Sequence, residues 1–357
     1  MTREEQTNSL IHRPRLVIAG PCSAESREQV IATAREIASL GRVDIFRAGV
    51  WKPRTSPKSF EGAGDVALDW LREARALTGM PIATEVATAQ HVEKALAAGV
   101  DVLWIGARTT SNPFSVQEIA DALGGCDTPV LVKNPITADV ELWVGSVERL
   151  ARAGVRNIGL IHRGFTGYGV ATEMRNAPLW QVALEAKREL RTLPLICDPS
   201  HICGNRTHLL EVAQQAADLD YSGVMLECHT SPEDALSDAR QQITPAQLGA
   251  LLERLIWRSV ATDSFECREE LERLRGAIDR LDEEIFALIA KRMEVADEIG
   301  HLKLQNNMTI LQSGRWEEVV ERVTRKATQM GVSGECTHRI LDAIHIESIE
   351  RQEKIMK

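Results

Sequence analysis

Two hydrophobic periodicities divide the chain. Up to about residue 257, short apolar, β-branched runs alternate with amphipathic stretches. The runs are residues 16–19, 43–46, 81–86, 102–105, 129–132, 157–161, 193–197 and 223–226. Helical spacing of apolar positions occupies 27–40, 65–77, 89–98 and 116–123, and returns last over 245–257. Eight strand–helix units in about 250 residues predict an α/β fold, a (β/α)8 barrel. An open doubly wound sheet is the alternative. It is disfavoured because no glycine-rich dinucleotide fingerprint follows the first run.

Beyond Trp257 the pattern changes. Residues 258–264 have no periodicity and read as a linker, and no strand pattern follows. Leu271, Leu274, Ile278, Leu281, Ile285, Leu288, Arg292, Val295, Ile299 and Leu302 recur at spacings of three and four. That is a heptad seam on one helix of roughly 35–40 residues, about 55 Å long. Two shorter helices are predicted near 314–329 and 337–356, separated by 331–334. They cannot cover such a seam alone, so a second copy of the chain is its expected partner. The predicted organisation is a barrel over 1–257, a linker over 258–264, and a small all-α, three-helix domain over 265–357 that forms an intertwined homodimer.

Composition narrows the function. The chain has 357 residues, 44% of them hydrophobic and 26% charged, with net charge −9. An acidic protein is a poor partner for nucleic acid or an anionic membrane. Its seven cysteines include no CxxC pair and no disulfide framework. The first ten residues have no apolar core like that of a signal peptide, and no apolar run is of membrane-spanning length. A cytoplasmic protein is expected.

Against that acidic background, cations gather just after the predicted strands, where barrel enzymes place their chemistry. They are Arg47, Lys52, Arg54, Arg108, Lys133 and Arg163. The loop after the second run is the richest: three cations, the hydroxyls Thr55 and Ser56, and Pro53 and Pro57 to stiffen it. Such a loop suits a phosphate ester, arginine offering a planar fork and lysine a point charge. A solvated basic loop is the plain alternative. Cys22, His201, Glu227 and Asp238 also follow strands, and thiolate, imidazole and carboxylate are first-row metal ligands. A buried apolar Cys22 and a capping Asp238 are the plain alternatives there.

The strings GPCSAES (20–26), RAGVWKPRTSP (47–57), IGAR (105–108), DPSH (198–201) and ALSD (235–238) carry a resemblance. Residues 14–257 resemble 3-deoxy-D-arabino-heptulosonate 7-phosphate synthase in its short type I β form. The resemblance implies condensation of phosphoenolpyruvate with erythrose 4-phosphate. It implies that Cys22, His201, Glu227 and Asp238 hold a divalent metal, Mn2+ first, with Fe2+, Co2+ or Zn2+ as alternatives. Arg108, Lys133 and Arg163 would hold phosphoenolpyruvate, with Arg47 and Lys52 nearby. Arg54, Thr55 and Ser56, beside Pro53, would hold the erythrose phosphate. Lys52 would protonate the new alkoxide, and Glu85 or a water on the metal would position the attacking water. Two positions depart from the family: His162 stands where an acidic residue is common, and Asn134-Pro135 follow Lys133.

In the helical segment Arg292 interrupts an apolar seam, and a buried arginine needs an anion. A seam arginine snorkelling to solvent is the plain alternative. Lys303, eleven residues on, shares nearly the same helix face, whereas Arg275 lies about 25 Å before Arg292. The string LRGAIDRLDEEIFALIAKR (274–292) resembles the all-helical chorismate mutase, with a match running to Gln352. That implies carboxylate binding by Arg292, Arg315 and, from the partner, Arg275. Lys303 and Gln352 would donate to the breaking ether oxygen, with Ser348 lining the pocket and Gln312 at the substrate hydroxyl. Gln312 and Trp316 both stand where some family members have an acidic residue. The combined expectation is a bifunctional enzyme opening the shikimate pathway, making prephenate from chorismate and inhibited by prephenate. The alternative is a barrel like 3-deoxy-octulosonate 8-phosphate synthase with a non-catalytic, ligand-binding helical domain.

Overall fold

A computed structural model describes residues 10–53, 58–167 and 173–357. The chain forms two compact units, Met1–Val260 and Ala261–Lys357. The strands of the first are β1 (Leu16–Gly20), β2 (Ile45–Arg47), β3 (Ile82–Val86), β4 (Val102–Ile105), β5 (Val130–Lys133), β6 (Ile158–His162), β7 (Leu195–Cys197) and β8 (Gly223–Glu227). They pair in parallel and in chain order, and β8 closes on β1, giving the predicted (β/α)8 barrel.

The intervening helices are α1 (Arg27–Ser39), α2 (Val66–Thr78), α3 (Ala89–Ala97), the short α4 (Ala107–Thr110), α5 (Pro113–Ala122), α6 (Val140–Arg152), α7 (Trp180–Glu189), the short α8 (Pro199–Cys203), α9 (Leu209–Asp218) and α10 (Pro245–Arg254). Their starts follow local chemistry. Ser26, Thr88 and Asp139 accept from backbone N–H groups of the first turn, and Thr244 and Gln247 cap each other reciprocally.

Strand alternation sorts the core into two layers. Ile18, Ile45, Ala83, Trp104, Leu131, Ile161, Ile196 and Met225 cluster together, one residue from each strand, and fill the barrel. Val17, Phe46, Ile82, Leu103, Val130 and their equivalents pack outward against the helices. Register puts the chemistry on the last rung: Gly20 is opposite Glu227, Arg47 opposite Ala83, and Lys133 opposite Ile161.

The second unit is helical: α11 (Phe265–Gln305), α12 (Ser313–Gln329) and α13 (Gly334–Met356). Ser264 caps α11 by accepting from Cys267 N–H. The C-terminal half of α11 buries Met293, Ala296 and Gly300, and at Gly300 an added Cβ would meet Gln352 Cγ at 3.0 Å, so α11 and α13 approach closely there. The N-terminal half is different. Leu271, Leu274, Ile278, Leu281, Ile285 and Leu288 are all exposed, between 41% and 65%. Among the described residues no helix is long and apolar enough to cross a membrane.

Candidate active sites

The barrel mouth is built from strand ends and the loops that follow them. Thr84 of β3 pins the basic loop from below, accepting from Val50 N–H and donating to Ala48 carbonyl. This turns Lys52 inward, where Nζ donates to Cys22 carbonyl at 3.2 Å and stands 3.9 Å from Glu85 Oε2. Glu85 accepts from Trp104 Nε1 at 3.1 Å. Its carboxylate fits only because residue 106 is glycine: a Cβ there would lie 2.1 Å from Glu85 Oε1. Lys52, Pro53, Glu85, Arg108, Lys133, Arg163, Arg175, His201 and Asp238 line one cleft. Arg54, Thr55 and Ser56 lie outside the described residues.

The cations are held by acids and amides. Lys133 Nζ donates to Asp198 Oδ2 at 2.8 Å. Arg163 N–H donates to Asn134 Oδ1 at 2.7 Å and its guanidinium to Asn176 Oδ1 at 3.1 Å. Burial lowers the Arg163 pKa to about 10, against the pull of Asp198. Burial opposes the charge on Asp198, yet His201 and Lys133 hold it well below the ordinary carboxylate range.

Cys22, Glu227 and Asp238 bring their ligand atoms within 4.8 Å of one another. The Cys22 thiol donates to Asp238 Oδ2 at 3.1 Å. Burial, then Glu227, pushes that thiol up to about 12. Burial opposes the charge on Asp238, but His201 and Lys52 hold it far below its usual range. Glu227 is fully buried; Oε2 accepts from Gln241 Nε2 at 2.6 Å, while Oε1 has a charge partner, Arg47 at 3.3 Å, but no well-formed hydrogen bond among the described residues. A buried carboxylate oxygen with no hydrogen bond, beside a thiol and a second carboxylate, is a fit for a divalent cation, which would also deprotonate the thiol. His201 stands beside the cluster rather than within it: Nε2 is 3.7 Å from Glu227 Oε1, and Nδ1 is 2.8 Å from Asp198 Oδ2 but off the hydrogen-bonding direction.

Arg47 is placed apart from the other cations. It is fully buried and does not line the cleft. Its guanidinium lies 4.7 Å from the Trp104 ring centroid, donates to Cys22 carbonyl at 3.1 Å and pairs with Glu227 Oε1 at 3.3 Å. It touches the cluster through Cys22 carbonyl and Glu227. The structure also adds residues that strand-end reasoning missed. Asp198 sits inside the DPSH string, but nothing local marks it as the partner of Lys133. Arg175, donating to Asp238 at 2.9 Å and Gln241 at 3.0 Å, lies well beyond the end of β6.

The helical unit holds its own cavity of about 300 Å³, lined by Arg292, Lys303, Gln312, Arg315, Trp316, His345, Ser348 and Gln352 among others. Arg292 donates to Ser348 Oγ at 2.7 Å. Lys303 Nζ donates to Gln352 Oε1 at 3.2 Å and to Ile310 carbonyl. Ser348 and Gln352 are buried, 5% and 7% exposed. Arg292 is exposed in the single chain, although partial burial lowers its pKa. Arg275 is remote from this cavity and pairs with Glu272 at 2.6 Å on the surface of its own helix.

A closed barrel with cations and a metal-type cluster at its mouth belongs to the anion-handling barrel proteins. Comparison with known proteins makes this specific. Residues 11–262 match the family model of the DAHP synthetase I family, and the chain belongs to that family. Residues 274–353 match the model of chorismate mutase type II, so the chain joins a synthase barrel to a mutase domain. The phospho-2-dehydro-3-deoxyheptonate aldolase of Thermotoga maritima is 37% identical over 227 residues; the match covers 64% of this chain and 64% of that relative. The 2-dehydro-3-deoxyphosphooctonate aldolase of an Azoarcus species is 29% identical over 267 residues, covering 69% and 91%. A crystal structure of the Thermotoga maritima DAHP synthase superposes with a TM-score of 0.59 at 31% identity, covering 68% of each chain.

Proposed function

We propose that the chain is a bifunctional enzyme of aromatic amino-acid biosynthesis. Its barrel condenses phosphoenolpyruvate with erythrose 4-phosphate, giving 3-deoxy-D-arabino-heptulosonate 7-phosphate and phosphate. Its helical unit rearranges chorismate to prephenate. The observation that carries the reading is the meeting of the Cys22, Glu227 and Asp238 cluster with Lys52, Arg108, Lys133 and Arg163 in one cleft.

Cys22, Glu227 and Asp238, with His201 adjacent, would hold the divalent metal, Mn2+ first among the candidates. When bound, it supplies Lewis acidity at the aldehyde oxygen. Arg108, Lys133 and Arg163 hold the phosphate and carboxylate of phosphoenolpyruvate, and Arg54, Thr55 and Ser56 hold the erythrose phosphate. Carbon 3 of phosphoenolpyruvate forms the new bond to the aldehyde carbon, leaving its own carbon 2 electron-poor. Lys52 gives its proton to the new alkoxide. Glu85, fixed by Trp104, orients the water that adds to carbon 2 and takes its proton. Phosphate then leaves by cleavage of the carbon–oxygen bond. Preorganised charges of this kind are each worth about 3–4 kcal/mol.

In the helical unit Arg292, Arg315 and the partner subunit's Arg275 hold the two carboxylates of chorismate. Lys303 donates to the ether oxygen. Because Gln352 Oε1 already accepts from Lys303, its amide N–H remains to donate to the same ether oxygen. No nucleophile is needed: holding the compact conformer and stabilising charge on one oxygen suffice. That arrangement favours catalysis over a purely regulatory helical domain. Prephenate, retained in this cavity, is also the proposed feedback inhibitor of condensation.

A five-carbon aldehyde acceptor is the second reading, supported by the octonate aldolase relatives. The higher identity to the heptonate aldolase favours the four-carbon acceptor. The test is to assay the intact chain for both reactions and compare specificity constants for erythrose 4-phosphate and arabinose 5-phosphate. Both activities are expected, with the four-carbon sugar strongly preferred. A preference for arabinose 5-phosphate overturns the assignment.

A further inference from the structure

The helical cavity contains a pair of rings that the mutase chemistry above leaves unused. Trp316 on α12 and His345 on α13 stack with centroids 3.8 Å apart and planes 7° from parallel. Both line the cavity with Arg292, Lys303 and Arg315. His345 stands three residues before Ser348 and seven before Gln352, so all three share one face of α13. The stack covers one side of the imidazole and sets its plane. Among the described residues, neither ring nitrogen of His345 has a hydrogen-bond partner.

The charged neighbours are Arg292 and Lys303 from α11, Arg315 from α12 and Asp342 on α13 itself. Burial, then Arg292, lowers the His345 pKa, with Lys303 adding to it and Asp342 opposing. The ring is therefore neutral at pH 7, with one donor and one acceptor nitrogen. The cavity's cations suit two carboxylates and an ether oxygen. A substrate alcohol needs an acceptor as well, and neither Arg nor Lys can be one.

Building on the mutase reading, we propose that His345, held in place by Trp316, is a specificity residue that accepts a hydrogen bond from the ring hydroxyl of chorismate. Gln312 lines the same cavity and is the competing acceptor.

The experiment uses the intact two-unit chain with chorismate and with its analogue lacking the ring hydroxyl, as substrate or competitive inhibitor. His345→Leu is expected to raise KM for chorismate roughly tenfold while changing kcat less than about twofold, the size of one lost hydrogen bond. Affinity for the deoxy analogue should stay within about twofold of wild type, because that ligand never made the bond. Trp316→Leu should shift KM the same way, and His345→Asn, which keeps an acceptor, should recover part of the loss. Helical circular dichroism separates a folded variant from an unfolded one, and if His345→Leu does not fold, Trp316→Leu and His345→Asn carry the test. An unchanged KM in His345→Leu, equal losses for both ligands, or discrimination lost only in Gln312→Leu overturns the role of His345. Absence of chorismate turnover in the wild type would instead overturn the mutase reading on which it rests.

Discussion

Arg47 sits where its charge has no water. It is fully buried, stacked on Trp104 and paired with Glu227 at 3.3 Å. Removing one partner of such a pair leaves the other charge uncompensated, at a cost of about 3–5 kcal/mol. Arg47→Met should therefore lower unfolding free energy by that amount, measured by denaturant titration of the apo-protein. A loss under about 1 kcal/mol would show that Glu227 is protonated or otherwise satisfied. His162 gives a pH signature of its own. It is fully buried between Tyr221, whose hydroxyl lies 2.9 Å from Nδ1, and Pro178 carbonyl, 2.6 Å from Nε2. Burial lowers its pKa from 6.5 to about 4. Because the folded value is the lower one, protons bind the unfolded chain first as pH falls. The His162 contribution is complete above about pH 6.5 and is lost progressively toward pH 4. Between pH 7 and 5 the wild type should lose ~2 kcal/mol that His162→Gln does not lose. Equal losses in both proteins would show that other groups cause the pH dependence.

At the scale of elements, α11 is the part that a single chain leaves unfinished. Six apolar residues in its N-terminal half are exposed along one stripe, while its C-terminal half is packed on α13. An apolar stripe spanning several turns calls for a partner helix. The proposed occupant is the same helix of a second copy, which also explains why Arg275 is so far from the cavity of its own chain. Ile285→Lys should dissociate the dimer in sedimentation experiments and remove mutase activity with it. Arg275→Ala and Arg292→Ala should each cost about 2–5 kcal/mol of transition-state binding. Mixing the two variants should restore one intact site per mixed dimer, whereas no recovery on mixing would place Arg275 and Arg292 in the same chain's site.

At the scale of the molecule, the two proposed chemistries fall in different units of one chain. The metal-type cluster lies in the unit Met1–Val260 and the arginine-lined cavity in Ala261–Lys357. Chelation should abolish condensation and leave chorismate rearrangement unchanged. Full condensation activity in a metal-free preparation, verified by elemental analysis, would remove the metal from the mechanism. The proposed regulation follows the same division. Prephenate should inhibit condensation in the intact chain and fail to inhibit a barrel cut near Thr262. Coupling between sites is commonly 1–3 kcal/mol, so inhibition of roughly 5–150-fold in apparent affinity is the scale to look for. Equal inhibition of both proteins, or of neither, would show that the helical unit is not the sensor.

Much of this was legible in the chain alone, because it depends on neighbours along the backbone. The eight apolar runs became eight strands to within a residue or two, since side-chain alternation and helical spacing are local properties. The seam from Leu271 to Leu302 lies along one helix for the same reason. The strand-end rule also gathered Lys52, Arg108, Lys133 and Arg163 at one mouth, because closure of a parallel barrel brings every strand end together. What the chain alone left open was which residues meet across long separations. Closure put Asp198 on Lys133, Arg175 on Asp238 and Gln241 on Glu227, and turned Arg47 onto Glu227 rather than into the cleft. It left His201 beside Cys22, Glu227 and Asp238, and stacked Trp316 on His345 across two helices. Such contacts depend on distances between elements and on the orientation of each ring or carboxylate, and those are set only when the core packs.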